Sequence, residues 1–555
     1  MQTTPQDRIK DYAQKGLWED KTLQDMFANI VRGSDDQTAL IDPANRAAFV
    51  DGPSQRLSFS DILVAADKIG SWLYEAGLRQ GDTVLVQMPN TVEIVIMYIA
   101  AAKLGLIISP VAMQYGQFEL EHIGQVIEPR AYIAFRDFRG QAFAQEQAHA
   151  LPRSCKSLFL GENDFNISLD AAPSDAYLKY AESLRHDPND IFTICWTSGT
   201  TGRSKGVPRS HNQWLATAIA MEDSVNLPDH SIYLNPFPFI NMAAIGGFLY
   251  FWLKNRGTMI LHHPFDPQVY LKQIQDENVV YTLAPPALLN RLIETRDQIK
   301  AHYDLSSLKI IGSGSAPLSP HMIEGFKAHF DVEVTNVFGS NEGIAFLSSA
   351  VEVPDPTERA VYFPRFGRPE HEWKNRIATK IQTKLIDLET GAEILDAGVI
   401  GEMCVAGATV FDGYYNAPED NANAFTPDGY FRTGDLFQIA GDRDQFYQFV
   451  GRCKALIVRG GVNISPEELD EVLITHPAIL EGAVASYPDK IMGEKICACI
   501  VLHEGQALTL EDLKTYFSDK KVAKFKWPER LHLMEALPRN AMNKVVRHEL
   551  EAFIK

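Results

Sequence analysis

Apolar positions in the first third of the chain change period repeatedly. Ile62, Leu63, Ala66, Ile69 and Leu73 recur at helical spacing behind Ser60, a candidate N-cap, and Gly77 follows as a stop. Residues 83–88 then read as strand, 90–104 as helix, 106–111 as strand, 118–128 as helix and Ala131–Phe135 as strand. Alternating helices and uniformly apolar strands predict a largely parallel sheet covered by helices. A second alternating region spans residues 190–338. Past residue 385, short segments punctuated by Gly401, Gly407, Gly413, Gly429, Gly434 and Gly451 predict a β-rich closing unit. Ser465-Pro466-Glu467-Glu468 reads as a capping box opening a helix to about Ile474, with Pro at its first position. Apolar strands near 480–485 and 495–501, a helix opened by Thr509 and a strand near 530–534 complete a small α+β domain. The expected class is therefore α/β. A large N-terminal domain, residues 1–452, combines αβ-layered subdomains with the β-rich closing unit; a small α+β C-terminal domain, residues 453–555, follows a short hinge near Lys454 and Ala455. No internal repeat or low-complexity stretch interrupts this order.

Composition narrows the function classes. The 555 residues include 71 acidic and 52 basic side chains, a formal charge of −19, with 45% hydrophobic residues to fill substantial cores. Such a balance argues against a nucleic-acid partner, whose phosphates are bound by clustered Lys and Arg. The longest uncharged apolar runs, 94–102 and 242–253, fall short of the roughly 18 to 20 residues that span a bilayer. The opening MQTTPQDRIKDYAQKG lacks an apolar core and a cleavage site, so neither a secretory signal nor a membrane partner is expected and a cytoplasmic location is. Cys155, Cys195, Cys404, Cys453, Cys497 and Cys499 show no CxxC spacing and read as free thiols. Cys497 and Cys499 alternate along an apolar run, on one face of a strand.

Candidate chemistry concentrates at Thr197-Ser198-Gly199-Thr200-Thr201-Gly202-Arg203-Ser204-Lys205-Gly206. An apolar strand precedes this loop and a helix from about His211 is expected after it. Backbone N–H groups, hydroxyls and one lysine can converge there on an anion. The spacing is not that of a Walker A loop, because two residues separate Gly202 from Lys205.

The loop resembles the TSGTTGxPKG signature of the adenylate-forming superfamily of acyl-CoA synthetases, adenylation enzymes and luciferases, with Ser204 in place of the usual Pro. The resemblance continues in order. Val337-Phe338-Gly339-Ser340-Asn341-Glu342-Gly343 is similar to YGxTE and Arg432-Thr433-Gly434-Asp435 to RTGD. Gly451-Arg452-Cys453-Lys454 with Gly460-Gly461-Val462-Asn463-Ile464 is similar to the hinge region. Residues 538–544, ending in Lys544, are similar to the segment of the C-terminal catalytic lysine. Within the superfamily, KGLWEDKTLQDMF, VPRSHN, VFGSNEG, IMGEK and AKFKWPERL resemble stand-alone aryl-acid AMP ligases of the 2,3-dihydroxybenzoate type.

The resemblance implies ATP, Mg²⁺ and a small carboxylic acid, aromatic or cyclic, as partners. The acid is joined to AMP with release of pyrophosphate, and the acyl group then passes to the thiol of coenzyme A or, alternatively, to the phosphopantetheine of a carrier protein. Luciferase-like oxygenation and non-catalytic nucleotide binding are the remaining readings. As implied roles, Thr197, Ser198, Gly199, Thr200, Thr201, Gly202 and Lys205 hold phosphates, and Glu342 binds Mg²⁺. Gly314, Ser315, Ala316, Phe338 and Gly339 border adenine. Asn341, in the family's Thr position, offers an amide to the α-phosphate, while Asp435 and Arg452 take the ribose. Lys544 is the adenylation lysine and Lys205 assists. Lys544 sits on a mobile lid, which rotates about the hinge at Lys454 and Ala455 and opens a thiol path past Gly461; Ala455 stands where the family has a charge. Asn241, Phe239, Met242 and Gly246 are assigned to the acid pocket. A monomer and a homodimer are equally compatible with these features.

Overall fold

The computed structural model describes residues 1–33, 37–161, 172–197, 204–314, 317–453, 457–459, 462–464, 466–489, 492–520, 522, 524–540 and 544–554. They pack as two compact units. One comprises Met1–Ala360, Phe366–Gln382 and Val405–Phe431; the other comprises Val361–Arg365, Thr383–Cys404 and Arg432–Lys555.

The first unit carries two mainly parallel sheets. One has six strands in the order Lys156–Leu160, Ala131–Phe135, Thr83–Gln87, Ile107–Pro110, Ile191–Trp196 and Gly206–Ser210. Only its last pair is antiparallel. The other has eight strands: Ala345–Ser348, Glu333–Gly339, Ile310–Gly314, Tyr281–Leu283, Ile232–Asn235, Thr258–Leu261, Thr38–Ile41 and Arg56–Ser58. Its interior pairs are parallel and its two outer pairs antiparallel. Ala131–Phe135 and Ile191–Trp196 are buried at every position, which explains the uninterrupted apolar run of the first and the single polar residue, Thr193, in the second. The helix Val92–Leu104 is buried all round except at Lys103, so it carries no polar face.

One local expectation needs correction. The helix Phe59–Glu75 is capped by Ser58, not Ser60. Ser58 Oγ accepts from the Asp61 N–H at 3.1 Å and Asp61 returns a bond to the Ser58 N–H at 2.9 Å, a reciprocal pair that requires an acid three residues after the cap. The helix expected from about His211 is present as His211–Val225, and an unexpected strand lies between it and the phosphate loop. This strand, Gly206–Ser210, pairs antiparallel with Ile191–Trp196.

In the second unit, Phe431–Ile439 and Phe446–Arg452 run antiparallel and set Asp435 opposite Arg452. A further sheet orders Val462–Ile464, Ile457–Arg459, Gly493–Leu502 and Ile479–Asp489, with Arg530–Leu533 parallel to Gly493–Leu502. Alternation along Gly493–Leu502 feeds two cores. Ile496, Ala498 and Ile500 pack with Leu469, Leu513 and Phe517, while Cys497 and Cys499 pack with Leu550 and Ile554. All six cysteines are free. No helix among the described residues is long and apolar enough to cross a membrane.

Candidate active site

The neck of the phosphate loop is closed by backbone. The Thr197 N–H donates to the Lys205 carbonyl at 3.0 Å, and the Lys205 N–H donates to Thr197 Oγ1 at 3.0 Å. Ser198, Gly199, Thr200, Thr201 and Gly202 lie outside the described residues, as do Ser315, Ala316, Lys454, Ala455 and Gly461. Lys205 Nζ sits 4.1 Å from the centre of the Tyr414 ring and 3.4 Å from Asp420 Oδ1.

Tyr414 links that lysine to the candidate metal carboxylate. Its hydroxyl donates to Glu342 Oε1 at 3.1 Å, and burial, then the Glu342 charge, push the phenol pKa well above its ordinary value. The backbone around Glu342 is fixed as well. Its carbonyl accepts from the Phe411 N–H at 2.9 Å. Gly343 follows at φ +115°, where an added Cβ would lie 2.0 Å from the Thr409 carbonyl oxygen, so no other residue fits. Gly314 is equally constrained, since a Cβ there would approach the Val337 carbonyl oxygen to 1.9 Å. Phe338 stacks with Phe346 at 6.1 Å and 19°.

Asn341 is held at three points. Oδ1 accepts from the Met242 N–H at 2.9 Å, Nδ2 donates to the Trp196 carbonyl at 3.1 Å, and its own carbonyl accepts from Arg209 Nη1 at 2.6 Å. Arg209 is fully buried, 4.4 Å from the centre of the Trp214 ring, with Nη2 donating to Gln213 O and Thr217 Oγ1. Burial lowers its pKa to about 10 against the opposing pull of groups that include Glu342, which leaves it cationic at neutral pH.

The acid-side segment is pinned at several points. Asn90 Nδ2 donates to the Phe237 carbonyl at 2.7 Å, and the buried Tyr98 hydroxyl donates to the Phe239 carbonyl at 2.7 Å. Asn241 Oδ1 caps the short helix Met242–Ala244 through the Ala244 N–H at 3.4 Å. Met242 Sδ lies where a Cβ on Gly339 would meet it at 3.3 Å. Asn241 and Met242 keep accessible surface, whereas Phe239 and Gly246 are buried. Gly246 belongs to the π-helix Ile245–Tyr250, and the space beside it is filled by Thr217 and Trp214.

In the second unit, Arg452 Nε lies 3.1 Å from Asp435 Oδ1, and the Asp435 N–H donates to Thr433 Oγ1 at 3.0 Å. Lys544 pairs with Asn540: its N–H donates to Asn540 Oδ1 at 3.0 Å and its carbonyl accepts from the Asn540 N–H at 2.9 Å.

The first unit thus gathers Thr197, Lys205, Phe338, Asn341, Glu342, Asn241 and Met242, and the second pairs Asp435 with Arg452. Sequence reading missed Tyr414, Asp420 and Arg209. An arginine inside the short VPRSHN tract was the one available signal, because a charge in a buried strand needs partners. No group of three or more His, Cys, Asp or Glu is placed to hold a metal among the described residues. That donor set fits Mg²⁺ held by Glu342 together with phosphate oxygens, not a cation caged by protein alone.

A model of the AMP-binding enzyme family matches residues 35–415, and one of the AMP-binding enzyme C-terminal domain matches residues 468–544. Pyochelin synthase PchD of Pseudomonas aeruginosa is 27% identical across 98% of this chain and 94% of its own length. The 2-hydroxy-7-methoxy-5-methyl-1-naphthoate–CoA ligase of Streptomyces carzinostaticus is 28% identical across 99% of this chain and 96% of its own. Among solved structures, ATP-bound MatB from Rhodopseudomonas palustris shares the fold at a TM-score of 0.77 and 24% identity, over 96% of this chain and 99% of MatB.

Proposed function

Because the chain belongs to the AMP-binding enzyme family, we propose that it activates an aromatic or cyclic carboxylic acid as its acyl-adenylate and transfers the acyl group to coenzyme A. Family membership makes it an adenylate-forming acid ligase. The observation that supports the rest is one connected run in the first unit, from Lys205 through Tyr414 to Glu342, and through Asn341 to Met242. Groups suited to phosphate, to Mg²⁺ and to an apolar acid follow one another within single contacts. The apolar character of Met242, which keeps accessible surface, and the naphthoate in one relative's name favour a ring-bearing acid.

In the first step a carboxylate oxygen attacks the α-phosphorus of ATP. The new O–P bond forms as the bond to the β-phosphate's bridging oxygen breaks, and pyrophosphate leaves with the electron pair. Two anions must meet, so positioning and charge neutralisation dominate catalysis. Lys205 attracts the departing phosphates. Mg²⁺, when bound at Glu342, supplies further neutralisation. Phe338 and Gly314 border adenine, Asp435 receives the ribose hydroxyls with Arg452 behind it, and Lys544 offsets the repulsion between carboxylate and α-phosphate. In the second step the thiol sulfur attacks the acyl carbon, AMP leaves with the electrons of the broken C–O bond, and the thiol proton goes to solvent. A boundary at residues 452–453 with rotation about Lys454 and Ala455 would withdraw Lys544 and open the thiol path past Gly461.

Acid-dependent exchange of labelled pyrophosphate into ATP tests the first step, with benzoates, heteroaromatic, alicyclic and medium-chain acids as the panel. Exchange is expected with ring-bearing acids, followed by a thioester when coenzyme A is added. Exchange confined to medium-chain acids would refute the acid class, and a thioester formed only with holo-carrier proteins would refute the acceptor.

A further inference from the structure

Asn341 stands where the resemblance expects threonine, and the difference has structural content. Its side-chain oxygen and nitrogen reach opposite ways, to the Met242 N–H and to the Trp196 carbonyl. Trp196 immediately precedes Thr197 at the neck of the phosphate loop, and Met242 immediately follows Asn241 on the acid side. A threonine hydroxyl, one bond shorter and with a single heteroatom, cannot span both. The neighbouring contacts run the same way. Gly339 lies against Met242 Sδ, so the segment 339–341 holds Met242 by backbone and by side chain. Glu342, the next residue, is tied through Tyr414 to the ring on which Lys205 rests. Arg209 fixes the Asn341 carbonyl from a fully buried position, which makes this segment a stiff lever rather than a loose loop.

We propose that Asn341 is a positioning residue that couples the nucleotide site to the acid pocket: nucleotide bound along Lys205 and Glu342 tightens the hold on Met242 and sets the shape of the pocket beside Asn241. This rests on the ligase reading above. Coupling of this kind is reciprocal, so a bound acid strengthens nucleotide binding to the same degree that nucleotide strengthens acid binding.

The Met242 amide is itself the donor to Asn341, so its hydrogen exchange reports the bond directly. The full-length protein is measured with and without MgATP, in parallel with calorimetric titration of MgATP and a thermal melt. In the wild type, saturating MgATP is expected to slow Met242 exchange by about tenfold. Asn341→Ala and Asn341→Thr are expected to lose that response even at MgATP concentrations that calorimetry shows to saturate each variant. Asn341→Asp keeps the acceptor for the Met242 N–H but lacks the donor to the Trp196 carbonyl, so it is expected to lose the response as well; should the other variants fail to fold, a wild-type response in Asn341→Asp would overturn the coupling. MgATP binding that leaves wild-type Met242 exchange unchanged would overturn the coupling, as would an equal response in Asn341→Ala; either outcome leaves the ligase reading intact. A wild type that binds no MgATP would overturn both.

Discussion

Tyr414 shows how one side chain can serve two groups of opposite charge. Its hydroxyl donates to Glu342 and its ring face receives Lys205, so the phenol holds the carboxylate and the ammonium apart while keeping both near the loop. Without the hydroxyl, Glu342 loses an orienting bond to a charged acceptor, an interaction whose removal costs roughly tenfold or more in an equilibrium. Tyr414→Phe is therefore expected to raise KM for MgATP by about tenfold while leaving Lys205 on the ring, and Tyr414→Ala should cost more because the cation–π contact goes too. Initial-rate kinetics decide: a phenylalanine variant with wild-type KM would remove Tyr414 from the site. The residue was not legible in the sequence. The bond joins positions 72 residues apart, and nothing in the FDGYYNAP tract distinguishes Tyr414 from a buried core aromatic.

At the scale of elements, the strand Thr38–Ile41 and the helix Val92–Leu104 are joined by a buried ion cluster. Asp42 accepts from the Val92 N–H at 2.9 Å and from Arg46 Nη1 at 2.9 Å, and Arg46 also binds both oxygens of Glu93. Burial, then the charge of Glu93, raise the Asp42 carboxyl from 3.8 to about 6 despite Arg46. A carboxyl raised in this way binds its proton more tightly in the folded chain. Its contribution to stability is thus complete below pH 3.8 and is lost as pH rises through about 6. Wild type should accordingly lose stability relative to Asp42→Asn between those values and keep a constant difference above them. Urea midpoints across that range provide the measurement, and a difference that does not change with pH would contradict the assignment. The cluster also marks the limit of sequence reading for elements. Parallel strands were legible because burial on both faces leaves continuous apolar runs, as in Ala131–Phe135. Strand order was not, because Thr38 and Thr258 become neighbours across 220 residues of chain. The hairpin return at Gly206–Ser210 was hidden for a local reason: Pro208 and Arg209 disguise a fully buried edge strand.

For the whole molecule the problem is charge. A chain of formal charge −19 is proposed to bind ATP, pyrophosphate and a carboxylate, all anions. Focusing of local potential makes this workable where cations are few and fixed. Arg209 is buried and still cationic, Arg452 is paired with Asp435, and Lys205 rests on an aromatic face. Lys544 differs from these three. Its motif was legible in the sequence by resemblance, as was a C-terminal domain, which a family model matches over residues 468–544. What a linear sequence does not carry is when the lysine acts, which under the proposed rotation depends on the hinge state and not on residue type. If Lys544 acts only where carboxylate meets α-phosphate, its loss should split the two half-reactions. Lys544→Ala is expected to slow acid-dependent pyrophosphate exchange by about a hundredfold or more, the scale of losing one charge aimed at a developing transition state. Thioester formation from synthetic acyl-adenylate needs no such neutralisation, since the pyrophosphate is already gone, and should change by less than about threefold. Rapid-quench measurement of each step in the same preparation tests this directly. Equal losses in both steps would place Lys544 at a site shared by the two reactions and rule out a lid that exchanges one face for another between them.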